Sequence, residues 1–240
     1  MHKTHSYLLN PEHLITVALI GCGGTGSQVL TCLARLNDAL IGIGHTGIHV
    51  TVYDGDDVDE TNIGRQLYSS VDIGQNKASV SVSRVNRYFG LDWDAVPTNR
   101  SLVNKINTNI TITCVDSIKT RKGIASLFHL NEKLNNEQKP YYWLDFGNDL
   151  KTGQVVLGSL HGKKMKTVTE RFPQLLKMRD KKSQPSCSIA QALGKQDLFI
   201  NSTLAQLGMN LLWKLFREGG VKYGGLYLNL DSLTVNPMPI

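Results

Sequence analysis

Ile15-Thr-Val-Ala-Leu-Ile20 runs straight into Gly21-Cys-Gly-Gly-Thr-Gly26, and the reading of this junction decides the fold. A short, continuously apolar run suits a strand buried on both faces of a parallel sheet. The glycines at 21, 23 and 26 suit a turn whose backbone N–H groups meet phosphate oxygens with no side chain in the way. Val29, Leu30, Leu33, Leu36 and Leu40 then recur at helical spacing, and a second strand, Ile48-His-Val-Thr-Val-Tyr53, ends in Asp54. A glycine turn alone is weak evidence, since a plain tight turn has the same composition. Its position between a strand and an amphipathic helix strengthens the nucleotide reading. Asp54 stands where an acid can accept hydrogen bonds from both ribose hydroxyls.

The alternation continues outward. A helix is predicted over residues 75–89, a strand at Ile110-Thr-Ile-Thr-Cys-Val115, a helix over about 118–135 and a strand at Tyr141-Tyr-Trp-Leu144. This is an α/β chain, Rossmann-like, with a mainly parallel sheet and helices on both faces. Gln154-Val-Val-Leu-Gly-Ser-Leu160 follows too closely for a helical crossover. It reads as an antiparallel C-terminal extension, joined by Leu226-Tyr-Leu-Asn-Leu230 after a helix over 197–216 that carries Leu204, Leu207, Leu211 and Leu215 on one face. No internal repeat interrupts residues 1–240, which read as one domain. Only residues 162–184, rich in lysine and without an apolar period, read as a surface loop or mobile crossover.

Composition narrows the classes. With 240 residues, 41% hydrophobic and 19% charged, the chain has material for a substantial core and is not a disordered polyelectrolyte. Its apolar runs fall short of the roughly 18 residues a membrane span needs, and its N-terminus lacks the apolar core of a signal peptide. A cytoplasmic protein with no membrane partner is expected. The four cysteines, at 22, 32, 114 and 187, form no Cys-x-x-Cys pair, so neither a zinc ribbon nor a disulfide framework is indicated. His45, His49, His129 and His161 show no metal-ligand spacing and read as surface or supporting residues. The net charge of +6 sits wholly in residues 162–184, where Lys163, Lys164, Lys166, Arg171, Lys177, Arg179, Lys181 and Lys182 face only Glu170 and Asp180. That concentration disfavours a general nucleic-acid partner. It admits two readings: a solvated loop, or a basic crossover that guides an acidic partner toward the crevice.

Three clusters separate adenylate chemistry from hydride chemistry. The first runs from Asp54-Gly-Asp56 to Asn62-Ile-Gly-Arg65-Gln66; Asp57, Asp59 and Glu60 read as a solvated acidic loop, whereas Asn62 and Arg65 can reach the β- and γ-phosphates of a nucleotide whose ribose Asp54 holds. The second, Asp72-Ile-Gly-Gln-Asn-Lys77, places Lys77 at a helix start facing the same crevice. The third, Cys114-Val-Asp116, puts a carboxylate at the carboxyl end of a strand, where open α/β sheets bind ligands and where Mg²⁺ accompanies phosphates. A nicotinamide-dependent dehydrogenase would use the same glycine turn but leaves Asn62, Arg65, Lys77 and Asp116 unexplained.

In this order the motifs resemble those of the family of ThiF, MoeB and the adenylation domains of ubiquitin-activating enzymes. The likeness covers about residues 14–160 and includes Cys114-Val-Asp-Ser-Ile-Lys-Thr-Arg121 and the later Gly147 and Gly153-Gln-Val. The resemblance implies ATP-dependent adenylation of the C-terminal glycine of a ubiquitin-like or sulfur-carrier protein. By resemblance Gly21, Gly23, Gly24 and Gly26 admit the phosphates, Asp54 holds ribose, and Asp56 and Gln66 join the nucleotide set. Asn62, Arg65 and Lys77 neutralise the departing pyrophosphate, and Asp116 holds Mg²⁺. It also implies a homodimer. Relatives commonly supply an arginine from the partner subunit's N-terminal segment, but residues 1–14 here contain none, which keeps open a non-catalytic ATP-binding scaffold of the same fold. Activation of a tRNA base or a small molecule is a further alternative. The zinc-binding cysteine pairs of several relatives are missing, and no structural zinc is expected.

Pro185-Ser-Cys-Ser-Ile-Ala-Gln-Ala-Leu-Gly-Lys-Gln-Asp-Leu-Phe-Ile-Asn201 is similar to the corresponding segment of the ThiF-like proteins of plasmid-associated PRTRC systems. That likeness implies a ubiquitin-like substrate and a conjugating-enzyme-like acceptor. Cys187 has two readings: a thioester-forming nucleophile activated at a helix start, or a cysteine without a role. Cys22 and Cys114 read as packing residues, and Trp143 and Trp213 as core.

Overall fold

A computed structural model of the chain describes residues 1–98, 107–128, 134–162, 164–180 and 188–240, the side chains of 189 and 190 excepted. A short strand β1 (His2–Lys3) and a one-turn helix α1 (Ser6–Leu9) precede β2 (Ile15–Ile20), α2 (Gly24–Gly42) and β3 (Ile48–Tyr53). Two 3₁₀ turns, Glu60–Asn62 and Ser70–Asp72, lead to α3 (Lys77–Phe89) and β4 (Asp94–Val96). Then come β5 (Ile110–Thr113), α4 (Ile118–Phe128), β6 (Tyr142–Asn148), β7 (Thr152–Ser159), α5 (Val168–Arg171) and a 3₁₀ turn at Pro173–Leu176. The chain closes with α6 (Ile189–Lys195), α7 (Ile200–Arg217), β8 (Gly220–Val221), β9 (Tyr223–Asn229) and β10 (Thr234–Pro239).

Eight strands form one sheet in the order β10-β9-β7-β6-β5-β2-β3-β4. From β6 to β4 every pair is parallel; from β6 to β10 every pair is antiparallel. The α/β, Rossmann-like reading with an antiparallel extension is therefore the architecture found. Strand β2 is central, and the chain leaves it to β3 on one side and returns to β5 on the other. The connections leaving the paired carboxyl ends of β2 and β5 thus run to opposite sides and make the crevice where such sheets bind ligands.

The apolar run of β2 is buried from Ile15 to Ile20 except at Thr16, because both faces are covered. On one face α2 and α7 pack together, with Val29, Leu30, Leu33, Leu204, Leu212 and Leu215 in a single cluster. Gly208 brings α7 so close to the sheet that a Cβ there would run into the Phe146 ring. The other face buries Ile20, Ile124, Trp143, Val156, Val168 and Met238 beneath α4 and α5. Trp143 is core as expected, and Trp213 is packed against the first cluster.

Several boundaries differ from the expected ones. β5 stops at Thr113, so Cys114 to Asp116 leave the ladder and turn into the crevice. α4 is described as far as Phe128; residues 129–133 of the expected helix lie outside the described residues, and 134 and 135 are not helical. β10 was hidden by Pro237 and Pro239, which central strands exclude; it lies at the edge, with β9 as its one neighbour, where missing N–H groups cost least. Residues 164–180 are also less loop-like than their charge suggests. Met165, Thr167, Val168 and Thr169 are buried, and Thr167-Val-Thr-Glu170 is a capping box, with Glu170 Oε2 accepting from the Thr167 amide at 2.9 Å. A helix of four residues is too short to show an apolar period, so the reading by period passed over it.

Candidate active site

The crevice is a cleft of about 910 Å³, within the roughly 300–1,000 Å³ typical of small-molecule sites. Gly21 closes the turn out of β2 with φ at 89°, and a Cβ on it would stand 2.7 Å from the Cys114 carbonyl oxygen. Gly26, one turn into α2, rests on the Gly21 carbonyl with no room for a Cβ. Gly26 therefore sets the helix against the strand and does not line the cleft, whereas Gly21, Gly23 and Gly24 do. Gly23 caps α2 without a side-chain hydrogen bond, leaving the helix start open toward the cleft.

Asp54 is held by two amides. Cys22 N donates to Oδ2 at 2.5 Å and Asp56 N to Oδ1 at 2.9 Å. Each oxygen keeps a further lone pair for a ligand hydroxyl. Burial pushes the Asp54 carboxyl above the usual carboxylate range, against the pull of the Asp56 and Cys22 amides and Lys77. Asn76 caps α3 through the Ser79 amide and donates from Nδ2 to the carbonyls of Asp54 and Asp56. That clamp fixes the start of α3 against the Asp54 turn and aims Lys77 into the cleft. The Lys77 ammonium lies 3.6 Å from Asp56 Oδ2, with its side chain 9% exposed.

Arg65 and Gln66 reach the cleft from the 3₁₀ turn Glu60–Asn62. Asn62 itself does not line it: Asn62 Oδ1 accepts from the Asp59 amide at 3.0 Å in a capping box, and its carbonyl accepts from Gln66 N at 2.9 Å. Asn62 thereby shapes the loop that presents Arg65. Arg65 Nε and Gln66 Oε1 are buried and have no hydrogen-bond partner. Asp116 is exposed and lines the cleft beside Ser117. Among the described residues no three His, Cys, Asp or Glu gather into a metal-binding group.

Cys22 is fully buried, and burial pushes its thiol up to about 11; burial also raises Cys32 and Cys114. These thiols are poor nucleophiles, as their packing reading implied. Cys187 lies outside the described residues, as do Lys163, Lys181, Lys182 and His129. His45 bonds the Leu8 carbonyl, His49 pairs with Asp94, and His161 meets Tyr141 edge-on. Arg84 does not line the cleft; it is half-exposed and pairs with Asp72.

Four further residues line the cleft that the sequence reading left without a role: Arg121, Asp145, Gln196 and Asn201. Asp145 had a signal, being an acid inside the apolar run Tyr142-Trp-Leu-Asp-Phe146, where it needs a buried partner. Gln196 and Asn201 had none. They approach the glycine turn from the junction of α6 and α7.

The chain matches the model of the ThiF family over residues 13–239. Among solved structures it is similar to selenomethionine PaaA, at 18% identity and a TM-score of 0.64, covering 94% of this chain and 73% of that one. It is similar to E. coli MccB with ATP, at 17% identity and a TM-score of 0.63, covering 97% of this chain and 64% of that one. E. coli MccB with AMPCPP and MccA gives 17% identity, a TM-score of 0.63, and 94% and 63% coverage. At these identities the likeness is one of fold, and the chain spans less than two thirds of the MccB chains. No curated protein sequence matches significantly.

Proposed function

The chain belongs to the ThiF family, and from that premise we propose that its cleft binds ATP and adenylates the C-terminal glycine of a ubiquitin-like or sulfur-carrier protein. The observation that carries the reading is one cleft lined by a ribose acceptor, a glycine turn and two cations. Asp54 is held rigid by two amides beside the glycine turn, Lys77 stands near it against Asp56, and Arg65 lines the same cleft. Arg65 Nε is a buried donor awaiting an acceptor, and a phosphate oxygen supplies one.

The chemistry asks little of the side chains beyond placement. A carrier carboxylate, already ionised at pH 7, attacks the α-phosphorus; an O–P bond forms, the bond to the β-phosphate oxygen breaks, and pyrophosphate leaves with the electron pair. Gly23 and Gly24 admit the phosphates, and Arg65 and Lys77 offset charge on the leaving group. Gln66 and Asp56 complete the nucleotide wall, and Asn62 acts through the loop it caps. Such catalysis is positioning and electrostatic stabilisation. Mg²⁺ fits the donor set, because it takes one or two protein carboxylates and fills its remaining positions with phosphates and water. Asp116, exposed to the cleft, is the residue that would hold it, and the ion would neutralise phosphate charge.

Cys187, in the segment just before α6, is proposed to take the activated carrier as a thioester and pass it to a conjugating-enzyme-like acceptor. The basic crossover, with Lys166, Lys177 and Arg179, is proposed to steer an acidic carrier. A homodimer and a cytoplasmic setting complete the reading; no helix among the described residues is long and apolar enough to cross a membrane. ATP–pyrophosphate exchange tests the central claim. Exchange should require a carrier with its terminal glycine intact and vanish when that residue is removed. ATP binding with no exchange for any carrier would favour the scaffold reading instead.

A further inference from the structure

Arg65 is held in the cleft by a residue 131 positions away. Its Nη1 donates to Gln196 Oε1, the same oxygen accepts from Asn201 Nδ2 at 3.1 Å, and Asn201 Oδ1 accepts from the Thr25 hydroxyl at 2.9 Å. The orientation of both amides is forced by chemistry. A guanidinium has only donors, so Gln196 must face Arg65 with its oxygen. Asn201 must then offer its NH₂ to that oxygen, which leaves its own oxygen for Thr25. Asn201 is 2% exposed and sits against Gly24, where a Cβ would collide with its side chain. The relay therefore runs from the first turn of α2, through the start of α7 and the end of α6, to Arg65.

Every acceptor in this relay is neutral. Among the described residues Arg65 has no carboxylate within ion-pair distance, Asp59 acting on it only from farther away. Lys77, in the same cleft, does have a carboxylate at that range in Asp56. We infer that Gln196 is a positioning residue for Arg65, with Asn201 as its anchor, which fixes the guanidinium against the phosphate-binding turn while leaving it without a carboxylate in contact. A carboxylate at position 196 would hold the same geometry and spend the charge. An apolar side chain there would preserve the charge and lose the geometry.

The inference rests on the nucleotide reading of the cleft, and the two fail differently. Calorimetry with MgATP on the full chain is compared for the unsubstituted protein, Gln196→Glu, Gln196→Leu and Arg65→Ala. Gln196→Glu should weaken ATP at least tenfold with an unchanged melting temperature, because the new pair is stable but occupies the guanidinium. Gln196→Leu should weaken ATP several-fold and raise KM for ATP in pyrophosphate exchange more than it lowers kcat. In an Arg65→Ala background Gln196→Leu should have no further effect. Full ATP affinity in both Gln196 variants, or a Gln196→Leu loss that adds to that of Arg65→Ala, would overturn the positioning role. An unsubstituted chain that binds no ATP would overturn the nucleotide reading on which it stands.

Discussion

Arg121 and Asp145 form a buried ion pair on the floor of the cleft, with Nε 2.9 Å from Oδ1 and 3.2 Å from Oδ2. The side chains are 9% and 1% exposed. Thr113 Oγ1 donates to the same carboxylate at 2.5 Å, Trp143 Nε1 donates to Thr113 Oγ1 at 2.9 Å, and Arg121 Nη2 donates to the Phe146 carbonyl at 2.7 Å. The pair ties the first turn of α4 to β5 and β6, and so holds the Cys114–Asp116 corner in place. Removing one partner strands a buried charge, at a cost of about 3–5 kcal/mol. Arg121→Met should show that loss in urea unfolding. Arg121→Met combined with Asp145→Leu should recover part of it, since the stranded carboxylate is gone. Equal stability of the single and double variants would show that the stranded carboxylate is not the source of the loss.

Asp72 gives a pH-dependent stability. Its buried Oδ2 accepts from the Ser69 amide at 2.7 Å and the Ser69 hydroxyl at 2.9 Å, and it pairs with Arg84. Burial alone would raise this carboxyl, but the Ser69 and Arg84 hydrogen bonds outweigh it and hold the group below the usual range. A carboxyl with a depressed folded pKa stabilises above its unfolded value, about 3.9, and loses that contribution as pH falls through the folded one. Asp72→Asn should therefore cost about 1 kcal/mol near pH 7, the size reflecting a half-exposed Arg84. The gap between variant and unsubstituted protein should narrow below about pH 4. Chemical unfolding across pH 2–7 measures it; a gap independent of pH would exclude the ionised carboxylate as its source.

The residues legible in the sequence are those at breaks in periodicity. Gly21, Asp54, Lys77 and Asp116 each follow a strand or open a helix, so their neighbours announce where they stand, and all four line one cleft. Asn62 was legible as part of a motif but not in its placement, because its side chain closes a local capping box. Gln196 and Asn201 were illegible for a different reason. Their roles depend on α7 docking against α2, a contact between segments more than 170 residues apart, and nothing in their own spacing marks it. The short elements, β4, β10 and α5, lacked either length or β-forming composition and are held by tertiary pairing.

Asp116 is placed at the cleft by the early end of β5, and its side chain is exposed, so its substitution tests chemistry apart from folding. Asp116→Ala should keep the melting temperature within a degree or two and lower pyrophosphate exchange by on the order of a hundredfold or more, the scale for loss of one transition-state electrostatic contact. The defect should respond to Mg²⁺ concentration. Exchange that survives at the unsubstituted rate would remove Asp116 from the metal role.

The three described thiols are buried or half-buried, which makes the Cys187 proposal testable in two independent ways. Cys22 is fully buried with its thiol raised to about 11, and Cys32 and Cys114 are raised as well, so none offers much thiolate near neutral pH. Alkylation of the folded protein by iodoacetamide at pH 7.5, mapped by mass spectrometry, should therefore reach Cys187 first. In the presence of ATP and a carrier, a covalent adduct should form that is cleaved by excess thiol. Cys187→Ala should lose the adduct and keep pyrophosphate exchange, since adenylation precedes the transfer and does not use the thiol. Loss of exchange together with the adduct would instead give Cys187 a structural role, and an adduct that persists in the variant would place the thioester on another residue.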